Sequence, residues 1–152
     1  MRAQLPDRKH ERGVMLIEAL LAILIFSVGI LAVVGMQGAA IKTVTDAKYR
    51  SEASFLANSL MAQIWIDAGN IASYDYPGSG TPPSRLTGWV DQVKSRLPGT
   101  TGLTPVLPIV TITGSSAQGA TVQIQVRWRL PEETTLGLPP HNQTVIAAVY
   151  TS

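Results

Sequence analysis

The 152 residues include no cysteine. No disulfide can staple this fold, no thiolate can act as a nucleophile, and cysteine usage says nothing about redox compartment. Histidine is nearly as scarce, with only His10 and His141. His141 stands in PPHNQ, read as a solvated loop between strands, with no paired metal ligands around it. Charge is thin at 14% of residues against 45% hydrophobic. That balance is high for a soluble globule and predicts that part of the chain lies in lipid. The pI near 9.2 suggests nucleic acid at first sight. However, Arg2, Arg8, Lys9 and Arg12 all precede residue 14, against Asp7 and Glu11, and the remainder holds eight bases and eight acids. The basicity belongs to the leader, and nucleic acid is not expected as a partner.

What the chain does have is one long apolar run. From Val14 to Met36 the only polar side chains are Glu18 and Ser27. About 23 residues make roughly 35 Å of helix, enough to cross a hydrocarbon core of about 30 Å. A buried soluble helix normally keeps a polar stripe, and this run is apolar all round. Bases crowd its N-terminal side, whereas Lys42, Lys48 and Arg50 beyond it are mixed with Asp46 and Glu52. This bias predicts a single pass, with the N-terminus in the cytoplasm and the bulk of the chain outside it. A secretory signal also has a basic start and an apolar middle. Its apolar region, though, runs about 7–15 residues to a small-residue cleavage site.

No proline occurs from Gln37 to Asp67, and apolar residues recur at Ile41, Val44, Tyr49, Phe55, Leu56, Leu60, Ile64 and Trp65. That spacing predicts an amphipathic continuation, so that one helix runs from about Val14 to Asp67, roughly 80 Å at helical rise. Gly35 and Ala39 form a small-xxx-small pair that lets another helix approach. AGNIASYDYPGSGTPPS then reads as a loop. A short helix over about 84–97 presents Leu86, Trp89, Val90, Val93 and Leu97 on one face and ends at Pro98-Gly99. Strands are expected over about 106–113, 120–130 and 144–151. The middle one is the clearest, Val122, Ile124, Val126, Trp128 and Leu130 alternating with polar residues. Trp65, Trp89 and Trp128 are read as core anchors. The expected fold class is α+β: a long N-terminal helix, transmembrane then amphipathic, packed on a small antiparallel sheet. The divisions are a leader over 1–13, a membrane helix over 14–36, its amphipathic extension over 37–67 and a head over 68–152.

The segment RGVMLIEAL, residues 12–20, resembles the class III signal of type IV pilins and pseudopilins. The continuation LLAILIFSVGILAVVGMQ, then SFLANSLMAQIW and GWVDQVKSRLPG, is similar to the minor pilins of the PilV group in particular. The resemblance implies a pilin-like fold and cleavage after Gly13 by a prepilin peptidase. It further implies N-methylation of Val14 and a subunit-pairing role for Glu18, the fifth residue after the cut. The family usually has phenylalanine or methionine where Val14 stands, and serine or threonine where Met15 stands. A glycine before the scissile bond lets a peptidase approach the backbone closely.

A carboxylate in a membrane helix is costly, about 2.5–3.5 kcal/mol for Asp at the centre on insertion scales. The resemblance implies that Glu18 pairs with the N-terminal amine of an adjoining subunit; pairing with its own amine is a second option. A third is that Glu18 simply reaches headgroup water from the helix end. Further implied partners are other minor pilins and the major pilin through helix packing, the inner-membrane assembly platform and membrane lipid. The implied location is the inner membrane with the head in the periplasm, then the pilus fibre or its tip.

A minor pseudopilin of a type II secretion system shares these features, and an uncut single-pass binding protein is a further alternative. No enzymatic role and no cofactor are expected. Glu132-Glu133 reads as a turn rim, PGSGTPP lacks the lysine of a phosphate-binding loop, and Arg127 and Arg129 are placed on an exposed strand face.

Overall fold

A computed structural model describes residues 9–102, 104–115 and 119–150. The chain divides into two compact units between Thr45 and Asp46. A single helix, α1, runs Lys9–Ile66 and contributes to both. In the first unit its side chains from Gly13 to Val44 are all exposed. Their mean hydropathy reaches 2.8 in the most apolar window, and this is the one helix among the described residues long and apolar enough to cross a membrane. Within it Ser27 Oγ donates to Ile23 O at 2.7 Å and Thr43 Oγ1 to Ala39 O at 3.1 Å, so these two hydroxyls are satisfied along the helix itself.

The second unit is an α+β head in which the last turns of α1 pack on an antiparallel sheet. After α1 come a short 3-10 helix, Ala68–Tyr74, and α2, Ser84–Arg96. The sheet follows as β1, Ile109–Ser115, β2, Gly119–Trp128, and β3, His141–Val149, in spatial order β1-β2-β3. A one-turn helix, α3, Pro131–Thr135, lies between β2 and β3. Ala53, Leu56, Ala57, Leu60, Met61 and Ile64 form the buried face of α1, the three-to-four spacing of one helical stripe. Against it stand Val122, Ile124, Val126 and Trp128 of β2 with Val110 of β1 and Val149 of β3. Leu86, Trp89, Val90 and Val93 close the core from α2. Each fully buried aliphatic side chain contributes about 1.5–3 kcal/mol.

Two aromatic expectations are corrected. Phe55 is 58% exposed and Trp65 57% exposed, outside the core. Each sits one residue from a buried position, Leu56 and Ile64, and one residue turns a helix by about 100°. Phe55 instead lies under the Arg96 guanidinium, 5.7 Å from its ring centroid, while Arg96 also bridges Glu52 at 2.7 Å. Trp89 and Trp128 are buried as core anchors, and Trp89 Nε1 donates to Leu56 O at 2.9 Å. Ile41 and Val44, assigned to the apolar face, are exposed.

The strand ends move for backbone reasons. β1 starts at Ile109 because Pro105 and Pro108 bring no N–H and the Val106 N–H is used elsewhere, donating to Gly99 O at 2.8 Å. β2 stops at Trp128, two residues before the expected end. There Arg129 N–H turns to Pro98 O at 3.1 Å and Leu130 N–H to Glu133 Oε2 at 3.0 Å. β3 begins at His141, earlier than expected, and the last expected strand residue, Thr151, lies outside the described residues, as do residues 1–8 of the leader. Gly99 has φ +72°, and a β-carbon there would lie 2.5 Å from Arg129 O, so the turn that joins α2 to the sheet requires glycine.

The expected loop after α1 is more ordered than its composition suggests. Asp67 gathers it: Asn70 Nδ2 donates to Oδ1 at 2.6 Å, and Tyr74 Oη to Oδ2 at 2.8 Å. Arg85 of α2 pairs with the same carboxylate. These bonds, chiefly those from Asn70 and then Tyr74, hold the Asp67 carboxyl below the ordinary value, and Arg85 adds to them against partial desolvation. Burial first, then the bond to Asp67, push the Tyr74 hydroxyl up. A depressed carboxyl stabilises the fold above its unfolded value of about 3.9, and that contribution is lost as pH falls through the folded value. Replacing Asp67 by Asn should therefore lower the melting temperature at neutral pH. Its deficit relative to wild type should shrink between about pH 5 and about pH 3. A deficit constant over that range in thermal melts would contradict the assignment.

Candidate functional site

The candidate cleavage and pairing residues Gly13, Val14 and Glu18 lie on the first turns of α1. The Gly13-Val14 bond is within the helix, four residues after its start at Lys9. Gly13 is exposed, and a β-carbon built on it would meet nothing within 4 Å. Val14 is 66% exposed. Glu18 sits one turn further along the helix from Val14, about 6 Å at helical rise. It is exposed, and among the described residues no base or hydrogen-bond donor partners it. The nitrogen of Val14 in the intact chain is an amide, so among the described residues no cation stands beside the Glu18 carboxyl. Hydrolysis of the Gly13-Val14 bond would place an ammonium there, since an α-amine with a pKa of about 7.7–8.0 is largely protonated at neutral pH.

Further along α1, Ile25, Phe26, Ile30, Val33 and Val34 border a shallow apolar groove that includes Gly29. Gly29, Gly35 and Gly38 all have open space where a β-carbon would stand. Small residues on an apolar helix let a second backbone approach closely, which is what helix packing out of water requires.

In the head, several side chains singled out by their chemistry have other roles. His141 is not a loop histidine. It opens β3 opposite Trp128, stacks on that indole at 5.5 Å with 14° between planes, and its Nε2 lies 2.7 Å from Glu133 Oε1. Glu133 is the third residue of α3, where its carboxylate also accepts the Leu130 N–H, so the expected turn rim is a cap that ties α3 to β3. Arg127 is half-buried, and its Nε donates to Leu107 O at 2.8 Å. Burial holds its pKa below the usual guanidinium range. Arg129 lies beyond the end of β2. The two arginines therefore do not form an exposed strand-face patch. PGSGTPP runs over Arg127: a β-carbon on Gly78, at φ +78°, would lie 2.9 Å from the guanidinium.

Reasoning from sequence missed the Asp67, Asn70, Tyr74 and Arg85 cluster. Its only local signal was an Asp followed three residues later by Asn, since Arg85 arrives through tertiary folding. Among the described residues no three His, Asp or Glu side chains cluster as metal ligands. Compared with family models, curated proteins and solved structures, the chain matches none.

Proposed function

We propose that this chain is a minor pilin of the type IV pilus class. In this reading it is anchored by α1 in the inner membrane, cut by a prepilin peptidase between Gly13 and Val14, and built with other pilin subunits into the complex that starts or tips a fibre. One observation carries the reading: RGVMLIEAL places a glycine, a following apolar residue and a lone acid five positions after the cut at the head of the apolar helix. The helix supports it, because an apolar face exposed from Val14 to Val44 needs either lipid or other helices around it. A head built on the end of that same helix supports it too.

The mechanism is assembly. Stored in the bilayer, the apolar segment keeps its side chains in lipid. On assembly, lipid contacts give way to helix contacts and the apolar surface stays out of water. The peptidase adds water across the Gly13-Val14 bond, releasing a carboxylate on Gly13 and an ammonium on Val14. That ammonium is the cation Glu18 lacks, and pairing it with Glu18 of an adjoining subunit sets the axial register. Glycine at position 13 lowers local helix stability by about 1 kcal/mol relative to alanine, which eases the unwinding a peptidase needs.

Mass spectrometry of the chain from cells that contain the peptidase tests the reading. The expected mature chain begins at Val14 and carries a methyl group on its amine. A chain that keeps Met1 through Gly13 in those cells would instead favour an uncut membrane-anchored protein and remove the pilin reading.

A further inference from the structure

β2 ends in two arginines that no acid answers. Val122, Ile124, Val126 and Trp128 belong to the core, so alternation turns Arg127, and Arg129 one residue past the strand, toward the opposite face of the sheet. Both are half-buried, and among the described residues neither forms an ion pair. Around them that face carries uncharged side chains, Gln123 and Gln125 on β2, Thr111 and Thr113 on β1, and Asn142 and Thr144 on β3. Glu133, the nearby acid of α3, is engaged with the Leu130 N–H and with His141.

The two guanidinium groups are also short of acceptors. Arg127 Nε donates to Leu107 O at 2.8 Å, the one hydrogen bond of its guanidinium among the described residues. The backbone at Gly78 lies against that group, since a β-carbon there would stand 2.9 Å from it, and this holds the arginine in place under the loop. Arg129 Nε is buried and has no hydrogen-bond partner among the described residues. A guanidinium has five N–H donors and no acceptor, so what each of these groups lacks is an acceptor. Water can accept a hydrogen bond but brings no charge, whereas two cations drawn partly out of water on one face call for an anion. Positions two apart on a strand are separated by about 6.6–6.8 Å, a gap that two arginine side chains close around one small ion. A carboxylate is satisfied by a single fork, while a phosphate has oxygens enough for two.

We propose that Arg127 and Arg129 together hold a phosphate group on the face of the sheet away from the core. The site does not rest on the pilin reading, since it concerns only the head. Thermal melts of the purified full chain in detergent micelles test it, with sodium phosphate compared against sodium chloride at equal ionic strength. The expected result is a saturable rise in the melting temperature of the head with phosphate and no comparable rise with acetate. Arg129→Gln is the deciding variant, because that side chain makes no hydrogen bond the fold would lose. Without phosphate it should melt no lower than wild type, and its response to phosphate should need about 10-fold more ion or vanish. Arg127→Lys, which keeps the charge and loses the fork, should weaken the response as well, and Arg50→Gln on exposed α1 should leave it as in wild type. Glycerol phosphate run beside inorganic phosphate separates the sources: a rise with both assigns the site to a phosphomonoester, a rise with the inorganic ion alone to free phosphate. No rise beyond chloride in wild type would overturn the proposal. So would an undiminished rise in Arg129→Gln, or a rise with acetate equal to that with phosphate.

Discussion

Trp128→Asp abolishes the cooperative unfolding transition of the head. Trp128 is 2% exposed, ends β2 within the core cluster to which α1 and α2 also contribute, and carries the stacked His141 ring on one side. Truncating such a tryptophan costs about 3–5 kcal/mol through lost burial and the cavity left behind. Aspartate puts a carboxylate into a space walled largely by apolar side chains, and burying a charge there costs several kcal/mol more or forces the group to take up a proton. A head of this size has a total stability of about 5–15 kcal/mol, so the sum consumes most or all of it. The readouts are near-ultraviolet circular dichroism and a thermal melt of the full chain in detergent. α1 should keep much of its far-ultraviolet signal, because its apolar first half lies outside the head's core. A melt unchanged from wild type would show that the core does not close over Trp128.

On the proposed pilin reading, Glu18→Ala should leave processing intact and sharply lower incorporation of the subunit into fibres. On the pilin reading proposed above a peptidase would meet the backbone at Gly13 and Val14, whereas Glu18 stands a full turn away on the helix. In that reading pairing with an ammonium would become possible only after the cut, so its loss should fall on assembly. A hydrogen bond to a charged group is worth about 1.5–3 kcal/mol, which corresponds to a drop in incorporation of about 10-fold to about 100-fold. Immunoblots of sheared fibres against the membrane pool measure that ratio, and the mass of the membrane-held chain reports processing. Glu18→Asp should recover part of the loss, since it retains the anion on a shorter reach. Alanine and wild-type subunits incorporated equally would remove the register role from Glu18. The apolar helix would then stand as an anchor and packing rod only.

Much of the architecture is legible in the order of the residues because the dominant forces leave periodic marks. An apolar run without a polar stripe has no way to be buried in so small a chain, so residues 14–36 announce lipid or other helices without reference to the head. Alternation at Val122, Ile124, Val126 and Trp128 specifies a strand with one covered face, and the covered face is the one found. The stop at Pro98-Gly99 is equally local, with proline barring further helix and glycine taking the positive φ.

What the tertiary structure alone decided are the points where two separated segments compete for one group. Phe55 and Leu56 are both apolar, and only the position of the sheet selects Leu56 for burial and leaves Phe55 to Arg96. Asp67 gathers Asn70 and Tyr74 from its own segment but meets Arg85, eighteen residues later, only through folding, and His141 stacks on an indole only when register sets it opposite Trp128. β2 ends where Arg129 finds Pro98, a partner no reading of the strand by itself could supply. Periodicity reports how one segment divides between water and oil, while the choice among equally suitable partners is made by which distant backbone or charge arrives within a few ångströms.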